Sequence, residues 1–149
     1  MSEHTVVVNW SRQTEGFSLA SYNRSHQWDF GHEVKVAASA APDYRGDIEM
    51  VDPEQAFTAS VASCHMLTFL AIASQKGFVV DDYQDQAIGR LGQGEQGTML
   101  VSDITLKPQI RFSGDSVPTE EQLQKLHDAA HQHCFIANSV KTRVHVEVK

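Results

Sequence analysis

The segment from Asp52 to Gly77, DPEQAFTASVASCHMLTFLAIASQKG, constrains the fold more than any other. Asp52 can cap a helix, Pro53 fits its first position, and Gln55 completes a capping-box-like D-x-x-Q. Gly77 supplies the stop. Between these signals the apolar residues, among them Phe57, Val61, Leu67, Phe69, Leu70 and Ile72, fall around almost the whole circumference. Ser63, His65, Thr68 and Ser74 interrupt them, and no run of about 20 purely apolar residues exists, so the pattern predicts a central core helix and not a membrane span. A helix that is apolar nearly all round needs cover on more sides than one sheet offers. A second copy of the chain is the economical cover, and a homodimer is expected.

The flanking sequence predicts strands before and after this helix. EHTVVVNW (3–10), EGFSLASY (15–22) and HEVKVAA (32–38) are short, partly alternating runs, as in an antiparallel meander, and APDYRGDIEM (41–50) reads as a loop. After Gly77, residues 78–92 and 98–114 suggest two long strands joined by a turn in GQGEQG. A second helix opens at Thr119, whose side chain can pair with Gln122, and its inner face carries Leu123, Leu126 and Ala130. CFIANS suggests one more helical turn, and VKTRVHVEV alternates as a half-buried strand. The order has no repeated βαβ unit, so the fold class is α+β, with mostly antiparallel sheet packed on helices. A chain of 149 residues without a linker-like stretch is expected to form a single domain, 1–149.

The formal charge of −7 argues against nucleic acid or an anionic membrane as the main partner, since both demand a basic face. MSEHTVVVNWSRQ lacks the basic and apolar regions of a secretory signal, so a cytoplasmic location is expected. Cys64 and Cys134 are the only cysteines. In a reducing compartment such a pair is two inert core thiols, a reactive thiol with its resolving partner, or part of a metal site. His127, His131 and Cys134 fall at i, i+4 and i+7, one face of the second helix if it continues that far, and these are metal-ligand types; spacing assigns no role to His133 beside them. His65 directly follows Cys64, but consecutive helical residues point about 100° apart, which makes it a core or interface histidine rather than the cysteine's base. No GxSxG, P-loop or GxGxxG fingerprint is present.

Taken together, DPEQAFTASVASCHMLTFLAIASQKGF and the later HCFIANSV resemble the OsmC/Ohr family of thiol peroxidases over nearly the whole chain. The most specific parts are PEQ at the helix start with a cysteine ten residues after its Glu, and a second cysteine opening a C-x-x-x-N-S-type turn. The resemblance implies an intertwined homodimer of curved, mostly antiparallel sheets around long central helices. It implies reduction of organic hydroperoxides, in some members hydrogen peroxide, without a cofactor. Carried across, Cys64 is the peroxidatic thiol, Cys134 the resolving thiol, Glu54 the acidic residue and Arg24 the guanidinium, with Arg45 in the later loop as the alternative arginine. The implied reductant is a dithiol, either small or borne by a lipoyl protein. The chain departs from the better-known branches in YNRSHQWDFG around Arg24 and in CHM, where the Ohr branch usually carries a bulkier aromatic.

The chemistry gives each of these residues a task. Only a thiolate attacks peroxide effectively, and an ordinary thiol with a pKa of about 8.5 is mostly protonated at neutral pH. An apolar surround disfavours the anion further, so a thiol in a greasy helix needs a cation, and arginine cannot lose its proton. Full ionisation gains only about tenfold, so the arginine's larger task is to stabilise the departing oxygen. Glu54 would hold the guanidinium by a charge-assisted bond. Ten helical residues rise roughly 15 Å, so Glu54 either serves a site across a dimer interface or the helix is strongly bent. Two rival functions use the same residues: a dimer that binds an apolar small molecule without turnover, and a His/Cys metal-binding protein.

Overall fold

The computed structural model describes residues 1–148. Contacts within the chain gather into two compact units, Met1–Ala56 and the remainder from Phe57 onward.

The first unit holds a three-stranded antiparallel sheet in the order β1 (Val7–Asn9), β2 (His26–Asp29), β3 (Lys35–Ala38). Trp28 pairs with Val8 on one side and with Val36 on the other. The turn between β2 and β3 puts Gly31, His32 and Glu33 at positive φ, and Asp29 Oδ1 accepts the Gly31 N–H at 2.9 Å to brace it. The expected strand at 15–22 does not form; those residues make a turn-rich loop, and the strand lies further on, at His26–Asp29. Phe17 and Tyr22 explain the difference: instead of alternating across a sheet they gather on Trp10, with ring centroids 6.0 and 6.5 Å from it. Residues 41–50 form the expected loop, opened by a 3₁₀ turn at Pro42–Tyr44.

Helix α1 (Pro53–Gln75) begins as its capping signals dictate: Gln55 N–H donates to Asp52 Oδ1 at 2.7 Å, and Asp52 N–H to Gln55 Oε1 at 3.1 Å. It ends at Gly77, whose φ of 80° suits the left-handed stop. By length and hydropathy alone α1 could cross a membrane. Its buried residues, however, form one stripe, Thr58, Val61, His65, Phe69 and Ala73, at steps of three and four, and that stripe carries the core of the second unit.

The two long runs after α1 each break once. β4 (Val79–Asp85) pairs with β7 (Pro108–Ser113), and β5 (Ile88–Gln93) with β6 (Met99–Leu106), both antiparallel, so the expected hairpin is present but divided between two sheets. Asp85 Oδ1 accepts the Lys107 N–H at 2.7 Å and ties the two breaks together. β8 (Arg143–Val146) adds to β6 in parallel, with Val144 and Val146 turned toward the core and Arg143 and His145 outward. Helix α2 (Glu120–His133) has the complete Thr119/Gln122 capping box, and α3 (Phe135–Asn138) follows as a single turn.

Two apolar clusters divide α1 between them. Val61 packs with Ile104 and Leu106 of β6; Phe69 and Ala73 pack with Phe78 and with Leu126 and Ala130 of α2. Cys64 and His65 occupy the turn of α1 between the clusters.

Candidate active site

Both cysteines are free, Cys64 half-buried and Cys134 buried with no exposed surface. Cys134 stands between α2 and α3, where it ends one helix and caps the next: its Sγ accepts the Ala137 N–H at 3.4 Å. The two thiols are neighbours, close enough for Cys64 to disfavour the Cys134 thiolate. Burial and the neighbouring Cys64 push the Cys134 thiol up to about 11, so it is a thiol at neutral pH. The fold thus brings together a partly buried cysteine and a fully buried one, in a setting that keeps the buried one protonated.

Beside this dithiol lies a second cross-link between α1 and α2. His65 Nε2 and His127 Nδ1 are 3.0 Å apart, and the rings are parallel to within 5° with centroids 5.3 Å apart. A centroid spacing that exceeds the N···N distance by little more than the ring radii puts both nitrogens near the centroid line. The rings meet edge to edge in one plane, joined by a nearly linear N–H···N bond. Phe69 closes over His127 with its centroid 4.5 Å away. Burial, reinforced by His127 and His131, lowers His65 to about 4; burial lowers His127 to about 4 as well, against the pull of Asp128. Both rings are neutral at neutral pH.

This pairing changes the reading of the histidine face. His127 is turned to His65 and Cys134 to Cys64, and among the described residues no group of three or more His, Cys, Asp or Glu could hold a metal ion. His65 sits in the core as expected, and its partner, 62 residues away, was hidden from sequence reasoning.

Arg24 belongs to the first unit. It donates from one terminal nitrogen to Tyr22 O and from the other to Leu19 O, each at 2.6 Å, and its guanidinium lies 3.9 Å from the centroid of the Tyr22 ring. Trp10, Phe17 and Tyr22 pack against one another, and with Arg24, His26 and Pro53 they line a pocket of about 420 Å³. Arg45, at φ 64°, lines an open groove of about 680 Å³ together with Arg24. Glu54 is in the first turn of α1. The aromatic cluster escaped sequence reasoning because residues 15–22 read as a strand; three aromatic residues in the sixteen before Arg24 were the available signal.

The OsmC-like protein family matches residues 46–149. The chain belongs to that family. An OsmC-like protein of unknown function from Vibrio cholerae has the same fold with a TM-score of 0.96, at 45% identity over 100% of both chains. More distant OsmC-like folds include the organic hydroperoxide resistance protein OhrB of Bacillus subtilis (TM-score 0.69, 20% identity, 99% of this chain and 98% of that one). Another is an organic hydroperoxide resistance protein OsmC from Legionella pneumophila (TM-score 0.65, 16% identity, 99% and 96%). These likenesses establish an OsmC-like α+β fold across the chain. No curated protein matches the sequence.

Proposed function

We propose that the protein is a thiol-dependent peroxidase that reduces organic hydroperoxides, and hydrogen peroxide as a smaller substrate, through Cys64 and Cys134. The observation that carries this reading is the neighbouring Cys64–Cys134 pair in an OsmC-like chain. Inert core thiols have no need to face each other across two helices.

In the first step the Cys64 thiolate attacks the terminal peroxide oxygen. The O–O bond breaks, Cys64 becomes a sulfenic acid, and the alkoxide leaves as an alcohol after taking a proton. In the second step Cys134 sulfur attacks the sulfenic sulfur: an S–S bond forms, the S–O bond breaks, and the Cys134 proton leaves with the hydroxide as water. An external dithiol, small or lipoyl-bound, then takes the disulfide apart by exchange and is itself oxidised.

Arg24 is the cation of this scheme. A guanidinium has five N–H donors, of which the bonds to Leu19 and Tyr22 use two. These bonds aim a permanent charge into an apolar pocket, the setting in which a donor to a departing oxygen is worth most. Glu54 orients that charge. α1 runs unbroken from Pro53 to Gln75, so Glu54 and Cys64 stand roughly 15 Å apart along one helix, which favours a site completed by a second copy. The outer face of α1, where Leu67 is 61% exposed, offers that copy an apolar surface.

Steady-state reduction of cumene hydroperoxide and hydrogen peroxide, with a dithiol as electron donor, tests the proposal. Turnover of cumene hydroperoxide with transient Cys64–Cys134 disulfide is expected. No turnover of either peroxide by protein with free thiols would leave the pocket of Trp10, Phe17 and Tyr22 as a binding site for an apolar ligand, the second reading that its shape favours.

A further inference from the structure

The seam between α1 and α2 is mostly apolar: Phe69 and Ala73 on one side meet Leu126 and Ala130 on the other. Apolar contact of this kind is non-directional, and small slides or rotations of α2 would cost it little. A disulfide tolerates much less, since its Cβ atoms must come within about 3.5–4.5 Å at a defined torsion. Something in the seam has to set the register, and the His65–His127 bond has the right form. It is directional, it is buried at 1% exposure on each side, and it joins the residue next to Cys64 to one two helical turns before Cys134. Among the described residues the outer nitrogens, His65 Nδ1 and His127 Nε2, have no hydrogen-bond partner, so the bond between the two rings is the only hydrogen bond that orients them. A shift of α2 by one residue would swing His127 about 100° away and strand two more buried nitrogens.

We propose that the His65–His127 bond is a register pin that fixes α2 on α1 at the one setting where Cys134 meets Cys64, making these two imidazoles positioning residues for closure of the disulfide. A single buried polar pair that selects one register from an otherwise slippery apolar interface is a known device of helix packing. The proposal rests on the reading of Cys64 and Cys134 as reaction partners, but the closure itself can be driven without peroxide.

Diamide takes two electrons and two protons from a dithiol, so its reaction with the reduced protein reads closure directly, followed as loss of free thiols and by mass. Three substitutions separate directional bonding from mere bulk. His127→Asn keeps a polar atom near the Nδ1 position, His127→Gln moves it by a methylene, and His65→Leu/His127→Leu removes both partners while keeping the seam filled. We expect His127→Asn to close within about threefold of the parent rate, because the bond survives. Closure in His127→Gln and in the double leucine variant should slow by at least about tenfold, because the sulfurs lose their alignment while the double variant keeps its thermal stability. With peroxide as oxidant, the same two variants should accumulate Cys64 sulfenic acid that dimedone captures. Equal closure rates in His127→Asn and His127→Gln would overturn the pin even if the double variant failed to fold. So would a folded double variant that closes at the parent rate, or a parent protein that diamide cannot close. Parent protein that closes with diamide but does not turn over hydroperoxides would instead overturn the peroxidase reading and leave the pin standing.

Discussion

His65 of α1 and His127 of α2 share one proton across 3.0 Å, ring edge to ring edge, in the interior of the second unit. Each is lowered from 6.5 to about 4, chiefly by burial. As pH falls from 6.5 the unfolded chain takes up these protons first, so the stability that rests on the neutral pair is complete above 6.5 and lost as pH drops toward 4. A tenfold difference in proton affinity is about 1.4 kcal/mol. Two rings therefore account for a substantial share of a stability of ~5–15 kcal/mol. Urea midpoints should fall steeply over that interval, and His65→Leu/His127→Leu should flatten the profile. A parent midpoint that stays constant there would show that the rings take up protons without penalty.

Cys64→Ser should reduce hydroperoxide turnover by more than roughly a thousandfold, since no other group in the scheme attacks the peroxide. Cys134→Ser should behave differently. It should complete a first reaction with peroxide and then stop, with Cys64 held as a sulfenic acid that dimedone labels. Quench-flow with mass analysis separates the two outcomes, and sustained turnover in Cys64→Ser would place the nucleophile elsewhere.

Arg24→Ala should lower kcat/KM for cumene hydroperoxide by roughly 100–1000-fold, the usual cost of losing a donor to a developing oxyanion. Alkylation of Cys64 by iodoacetamide should change by less than about tenfold, because thiol ionisation is the smaller part of the arginine's work. Arg24→Lys should not restore the rate: an ammonium cannot reach Leu19 O and Tyr22 O together and still present a planar face to the Tyr22 ring. Losses of equal size in kcat/KM and in alkylation would reverse this division of roles.

Gly46→Ala should destabilise the first unit by about 2–3 kcal/mol, because a Cβ at position 46 would overlap the backbone carbonyl of Ala40. Carbonyl oxygens of the backbone cannot rotate aside as a side chain can. The melting transition followed by near-UV circular dichroism, to which Trp10 and Trp28 of that unit contribute, should move to lower temperature. A melting curve indistinguishable from the parent's would show that the loop at 41–50 yields freely.

Elements whose ends are written in neighbouring residues were legible in advance. Asp52 with Gln55, Thr119 with Gln122, and Gly77 fix the termini of α1 and α2 through bonds that span three or four residues, and the alternation from Val140 to Val148 identifies the half-buried β8 in the same local way. The motif built on Pro53, Glu54, Cys64 and Cys134 likewise points to the OsmC-like family, whose model matches residues 46–149. Residues 15–22 were misread because their alternation is real but their aromatic rings have a better partner in Trp10, a contact that no local pattern encodes.

From sequence alone came the two main helices, the α+β class and the presence of two thiols, because these depend on short-range capping, periodicity and residue chemistry. Tertiary structure alone decided that His127 answers His65 instead of joining His131 and Cys134, and it brought Cys134 beside Cys64, a pairing that the sequence only implied by resemblance. The physical reason is that both contacts cross the α1–α2 seam. Which side chains meet there depends on how two helices settle on each other, and helical periodicity fixes only the face that each one offers.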